Sequence, residues 1–251
     1  MTASQEAPMY WQKWSDLLKH ELKLDTEPIA VTFTGSVPEG ATPPEGKVSV
    51  CQALKRASEG RGVTITAETC GCPGGLVSLG LGQMPAQGKE RLVDFLVNRE
   101  KLCCSRAALY RLQHIVEAPT GMATHVCFAP LAKAVALPDL VVFVGKPGSL
   151  HHLIAFADYW EGGSLTAELA GPACRTGIAY PVVSGHIGVS LLDFGARRLA
   201  GFGEDQLLVA VPFSRMIGIM HAFDHGLHRQ HDQRPDAIER QIDELGPVDR
   251  I

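Results

Sequence analysis

Two thiols flank a single glycine in Thr69-Cys70-Gly71-Cys72-Pro73-Gly74-Gly75. Thiolates are soft donors, suited to zinc and to iron–sulfur centres. Gly71, Gly74 and Gly75 let the backbone approach a bound group with no Cβ in the way. The turn is therefore a candidate cradle for a metal or cluster, although Cys70-x-Cys72 is not the C-x-x-C spacing of a zinc ribbon. The remaining thiols are Cys51, the vicinal pair Cys103-Cys104, Cys127 and Cys174. Seven cysteines, an odd number in clusters, argue against a disulfide framework. Each is either a buried small hydrophobe or a metal ligand.

Other side chains with chemical capacity are more scattered. His221, His225 and His228 recur at i, i+4 and i+7, one face of a helix, with His231 a turn further on. The bland reading of that group is a polar helix end, since the residues after it are plainly charged. Arg197-Arg198 could fix a carboxylate or phosphate of a small substrate. A nucleophilic cysteine would want a positioned histidine, for which His114, His125 and His186 are candidates. Arg197 and His186 stand as the candidate catalytic residues. Trp11 and Trp14 read as core or dimer contacts, so a homodimer is compatible with the sequence. Gly80 to Gly82 lack the strand–GxGxxG–helix setting of a dinucleotide site.

These residues must be positioned by a chain of 251 residues, 45% hydrophobic and 20% charged. That suits one large globular unit or two small ones. A net charge of −4 and a pI near 6.2 supply no electrostatic footprint for nucleic acid. The longest apolar runs are too short to span a bilayer, and the first thirty residues show no basic-then-apolar leader. A soluble cytoplasmic protein is expected.

The first eight residues read as disordered, and the apolar spacing over 10–24 predicts an amphipathic helix. Strands are expected at 28–33, 63–67, 126–130, 140–144, 187–192 and 207–211. Helices are expected at 48–57, 90–97, 102–117, 150–160, 213–231 and 234–245, the 102–117 helix beginning at Cys103-Cys104. This alternation predicts an α/β or α+β protein with mixed sheets flanked by helices.

One regularity organises the thiols. Cys51 leads through a helix and a strand to Gly71-Cys72, an offset of 72 − 51 = 21; Cys174 leads to Gly195 over the same offset, 195 − 174 = 21. The expected layout is an N-terminal helix over 1–24, two similar α/β halves over 25–130 and 135–231 related by a pseudo-two-fold, and a charged tail over 232–251. Cys51 and Cys72 of one half would then face Cys174 of the other.

The Pro28-Ile29-Ala30-Val31 strand, Cys51, Gly71-Cys72-Pro73-Gly74-Gly75, Pro138-Asp139-Leu140-Val141-Val142-Phe143, Cys174 and Val211-Pro212 together resemble the DUF169 family of prokaryotic proteins over about residues 15–220. The resemblance implies scattered cysteines suited to an iron–sulfur cluster and brings no activity with it. It also implies a cysteine in the turn where this chain has Asp193-Phe194-Gly195.

The expectation is a [4Fe–4S] cluster at the junction of the halves, with Cys51, Cys72 and Cys174 as ligands and Gly71, Gly74 and Gly75 around it. Cys104 is the best fourth ligand, Cys103 the next, or the position is open. An open iron can act as a Lewis acid on a small, anionic substrate. Electron delivery instead brings in an electron-donor protein as a further partner. The alternatives are a non-enzymatic electron-transfer or cluster-binding accessory protein, and a zinc- or thiol-dependent enzyme, because zinc uses the same thiolates.

Overall fold

The β-branched run Ile29-Ala30-Val31-Thr32-Phe33 forms β1 (Ile29–Thr34), next to the middle of a six-stranded sheet. The computed structural model describes residues 3–40, 42–112, 117–156, 167, 169 and 172–226. The other strands are β2 (Val63–Thr66), β3 (His125–Pro130), β4 (Leu140–Gly145), β5 (Gly188–Ser190) and β6 (Leu207–Pro212), in the order β2-β3-β1-β4-β6-β5. All five pairings are antiparallel, so the expected mixed sheets are replaced by one antiparallel sheet of an α+β protein.

Both faces of that sheet are covered. Along β4, Leu140, Val142 and Val144 point to one face and Val141 and Phe143 to the other, all of them buried. A strand buried on both sides reads as a continuous apolar run, as Leu140 to Val144 does. On one face lie α1 (Ala3–Glu21), α6 (Pro147–Ala155) and α8 (Phe213–Asp224), which bury Leu18, Leu150, Leu153, Met216 and Ile219. On the other lie α2 (Val50–Ser58), α3 (Pro73–Ser78) and two π-helical turns, Arg175–Ala179 and Gly195–Leu199. The first of these turns runs on into α7 (Tyr180–Ser184). Three elements before β3, namely α4 (Ala86–Asp94), a π-helical turn Phe95–Arg99 and α5 (Arg106–Leu112), sit beside α3.

The strand order reads the same from either edge if β1, β2 and β3 are matched to β4, β5 and β6. The correspondence stops at topology. The first half inserts α3 to α5 before its third strand, where the second has only the turn Gly195–Leu199. Two other expectations are corrected. α1 begins at Ala3 rather than near Tyr10, and α5 begins at Arg106, so Cys103 and Cys104 lie in a loop and not at a helix N-terminus. His114, His228, His231, the 234–245 helix and the 232–251 tail lie outside the described residues. No helix among the described residues is long and apolar enough to cross a membrane.

Candidate metal centre

Cys51 is placed by a capping box. Ser49 Oγ accepts from Gln52 N–H at 3.2 Å, and Gln52 Oε1 accepts from Ser49 N–H at 3.0 Å. This reciprocal cap starts α2 at Val50 and holds Cys51 in its first turn. The cysteine turn is laced to the residues just before that cap. Val48 N–H donates to Thr69 O and Gly71 N–H to Val48 O, each at 2.9 Å, forming a short parallel bridge. Cys72 is thereby carried beside Cys51, although 21 residues separate them.

Two of the three glycines owe their identity to this packing. A Cβ at Gly71 would come within 3.2–3.3 Å of the Lys47–Val48 backbone, and one at Gly75 within 2.6 Å of Val50 Cγ2. At Gly74 the neighbour is Cys72 Sγ at 3.8 Å; Gly71 and Gly74 line the cavity described below, whereas Gly75 does not. Cys72 is the N-cap of α3, its Sγ accepting from Gly75 N–H at 3.5 Å. Cys70 is buried, donates to Cys72 O at 3.4 Å and is not on the cavity wall.

The third thiol arrives from the other half. Cys174 is buried just ahead of the turn Arg175–Ala179, and its Sγ donates to Ser78 Oγ at 3.7 Å, at the end of α3. Asp193 closes the group: Oδ2 accepts from Ala173 N–H at 2.7 Å and Oδ1 from Ala196 N–H at 2.9 Å. Cys51, Cys72, Cys174 and Asp193 all face one cavity of about 590 Å³.

This wall disfavours the thiolate forms of Cys51 and Cys174. Burial, Asp193, Cys174 and Cys72, in that order, hold the Cys51 thiol well above its ordinary range. Burial and Cys72 push Cys174 up to about 12, against a weaker opposing pull from Ser78 and Arg175. Three thiolates and a carboxylate would repel one another unless a cation lay among them. Two cationic side chains line the cavity, Arg175 and Arg91. Arg175 is engaged by Glu117, yet its Nε is buried with no hydrogen-bond partner. Elsewhere the wall is apolar, with Leu92, Leu96 and Leu109, and the mouth is ringed by the exposed side chains of Phe95, Leu102, Phe194 and Leu199.

Among the described residues no three His, Cys, Asp or Glu side chains come close enough to hold a single metal ion. A tetrahedral zinc with bonds of about 2.3 Å would draw its sulfurs to within about 3.8 Å of one another. A cluster attaches its thiolates to separate irons and spreads them more widely.

The remaining candidates fall away from the cavity. Cys104 is exposed and Cys103 half-buried, in the loop after Leu102, and neither is on the wall. Arg197 spends its guanidinium on backbone: it donates to Leu191 O at 2.7 Å, to Gln206 O at 3.2 Å and to Gly203 O. It braces a loop rather than facing the cavity. His186 is exposed and stacked on Tyr180. The rings of His221 and His225 lie 3.9 Å apart, tilted at 32°, at the C-terminal end of α8, which covers the opposite face of the sheet. Cys127 alternates with Val126 and Phe128, so it too points away from this face; it accepts from Thr64 Oγ1 at 3.3 Å. Arg175, Ser78 and Glu100 were not singled out from sequence. Glu100 lines the cavity with its carboxyl raised by burial and by Asp193.

The model of DUF169, a family described as uncharacterised ArCR, matches residues 17–222. The chain belongs to the DUF169 family. A relative, the uncharacterized protein MJ0308 of Methanocaldococcus jannaschii, is 25% identical over 216 residues, covering 81% of this chain and 89% of that one. No solved structure matches the chain. The matched DUF169 region contains every residue of the cavity wall named above.

Proposed function

We propose that this DUF169 protein holds an iron–sulfur cluster, of the [4Fe–4S] type, on Cys51, Cys72 and Cys174, and uses it on a small anionic molecule. The observation that carries the reading is the meeting of three thiols from three separate elements on one wall of a 590 Å³ cavity. Their mutual electrostatic influence supports it, since Cys51 responds to both Cys174 and Cys72. A cluster bound there supplies a Lewis-acidic iron or an electron. The chain's own part is to bind and to exclude water. Arg175, with an unsatisfied Nε at the cavity, suits a carboxylate or phosphate oxygen. Leu92, Leu96 and Leu109 suit an apolar body and keep solvent from the cluster. The exposed apolar rim suits a protein electron donor if the cluster cycles between oxidation states.

Seven reduced thiols with no disulfide fit a cytoplasmic setting. The test is anaerobic reconstitution with iron and sulfide, followed by visible absorbance and iron and sulfide analysis. A brown protein carrying iron and sulfide in equal amounts is expected. Uptake of zinc alone, or no uptake, overturns the reading.

A further inference from the structure

We infer that Asp193 is the fourth protein ligand of the centre, a hard carboxylate oxygen completing a set of three soft thiolates. The inference rests on the cluster reading above and adds what that reading leaves unfilled. Its basis is position. Asp193 lines the same cavity as Cys51, and the two backbone bonds of its carboxylate anchor it to Ala173, next to Cys174, and to Ala196. An ionised carboxylate has about four lone-pair sites. Two are used by those N–H groups, and two are left for an iron. The bonds fix the side chain as outer-shell partners fix a metal ligand.

A carboxylate and three thiols line one cavity, and the carboxylate is held there by backbone bonds from two separate segments. A purely structural cap for the Gly195–Leu199 turn has no need to face into that group. With an iron between them, the same four groups become mutually supporting. Cys104, the expected fourth ligand, is exposed and off the wall, whereas Asp193 is on it and, unlike Glu100, is bonded to the backbone next to Cys174. An oxygen donor binds iron of a cluster less tightly than a thiolate does. The iron it holds is therefore the exchangeable one.

The test uses the full chain, reconstituted anaerobically with iron and sulfide. Mössbauer spectra of the wild type are expected to resolve one oxygen-ligated iron from three thiolate-ligated ones. Asp193→Cys is expected to retain four irons in thiolate-only surroundings. Asp193→Asn keeps one acceptor oxygen for the backbone and is expected to lose one iron on brief oxidation about tenfold faster than the wild type. Circular dichroism of the variants verifies that they are folded, and the wild-type spectrum stands without them. Four equivalent irons in the wild type, or equal iron loss in wild type and Asp193→Asn, makes Asp193 a backbone anchor only and overturns the inference while the cluster stands. Failure of the wild type to take up iron and sulfide is a different result, and removes the cluster reading itself.

Discussion

Gly80 closes α3 with φ +66°, and a Cβ there would lie 2.3 Å from Pro119 O and 2.9 Å from Ala118 O. Both atoms are backbone, so no rotamer change relieves the contact. The loop over 117–121 is tied to this point by Ala118 N–H to Ser78 O and Gly121 N–H to Gly80 O, each at 2.9 Å. Gly80→Ala must therefore displace the loop and lose those two bonds. The left-handed backbone costs about 1 kcal/mol for a residue with a Cβ, and the two hydrogen bonds about 1 kcal/mol each, roughly 3 kcal/mol together. For a chain of this size that is a fall in melting temperature of about 6–12 °C. Gly121→Ala is the control: φ is +83° but nothing lies within 4 Å of its Cβ, so about 1 kcal/mol and 2–4 °C are expected. Entropy removed from the unfolded chain by Gly→Ala is common to both and cancels in the difference. The assay is thermal melting of the reduced, chelator-treated protein followed by circular dichroism. Melting temperatures within about 2 °C of each other would refute the steric reasoning. Iron retention belongs in the same series, because the displaced loop carries Glu117, the partner of Arg175 beside Cys174.

Cys51→Ser, Cys72→Ser and Cys174→Ser should each abolish the visible chromophore of reconstituted protein, whereas Cys127→Ser and Cys104→Ser should keep it; equal iron in all five would contradict the ligand set. In metal-free, reduced protein Cys174 also makes the fold sensitive to alkali. Its thiol rises from 9.0 to about 12 on folding, so its contribution is full below pH 9 and is lost as pH climbs through that window. By pH 11 the loss is about 3 kcal/mol, measured as the stability difference between wild type and Cys174→Ala at pH 8 and pH 11; a difference that does not change with pH counts against it. Arg197→Met should cost about 2 kcal/mol in urea unfolding, chiefly by removing the donor from the part-buried carbonyls of Gly203 and Gln206, yet leave reconstituted iron unchanged. Arg175→Gln should leave the cluster spectrum intact and abolish its perturbation by added carboxylates or phosphate, and an unaltered anion response would remove Arg175 from binding.

The elements were legible in the sequence where burial is one-dimensional. β1, β4 and β6 announce themselves as β-branched runs, and Ser49 with Gln52 marks the start of α2 through a local capping box. The same locality explains why Cys51, Cys72 and Cys174 were recognisable as thiols at ordered offsets. It does not extend to Cys104, because α5 starts at Arg106 rather than at Cys103-Cys104, a shift that residue patterns do not resolve. Arg197 looked like a substrate ligand because a guanidinium suits an anion and a carbonyl equally well, and only the loop geometry assigns it to Leu191, Gly203 and Gln206. Arg175 is not marked by the sequence, and Asp193 is marked there only as standing in a turn where the family resemblance implies a cysteine, for the converse reason. Each is an ordinary charged residue until folding aims it into the cavity.

The amino-acid sequence alone determined that this protein has apolar strands among helices, a glycine-bearing cysteine turn and thiols that argue against a disulfide framework, since these follow from side-chain size, polarity and spacing. Tertiary structure decided that the strands form one antiparallel sheet and that three thiols and a carboxylate share a cavity. Which distant segments meet depends on strand register and on close backbone approaches, such as Gly71 against Val48, and these are properties of the whole fold.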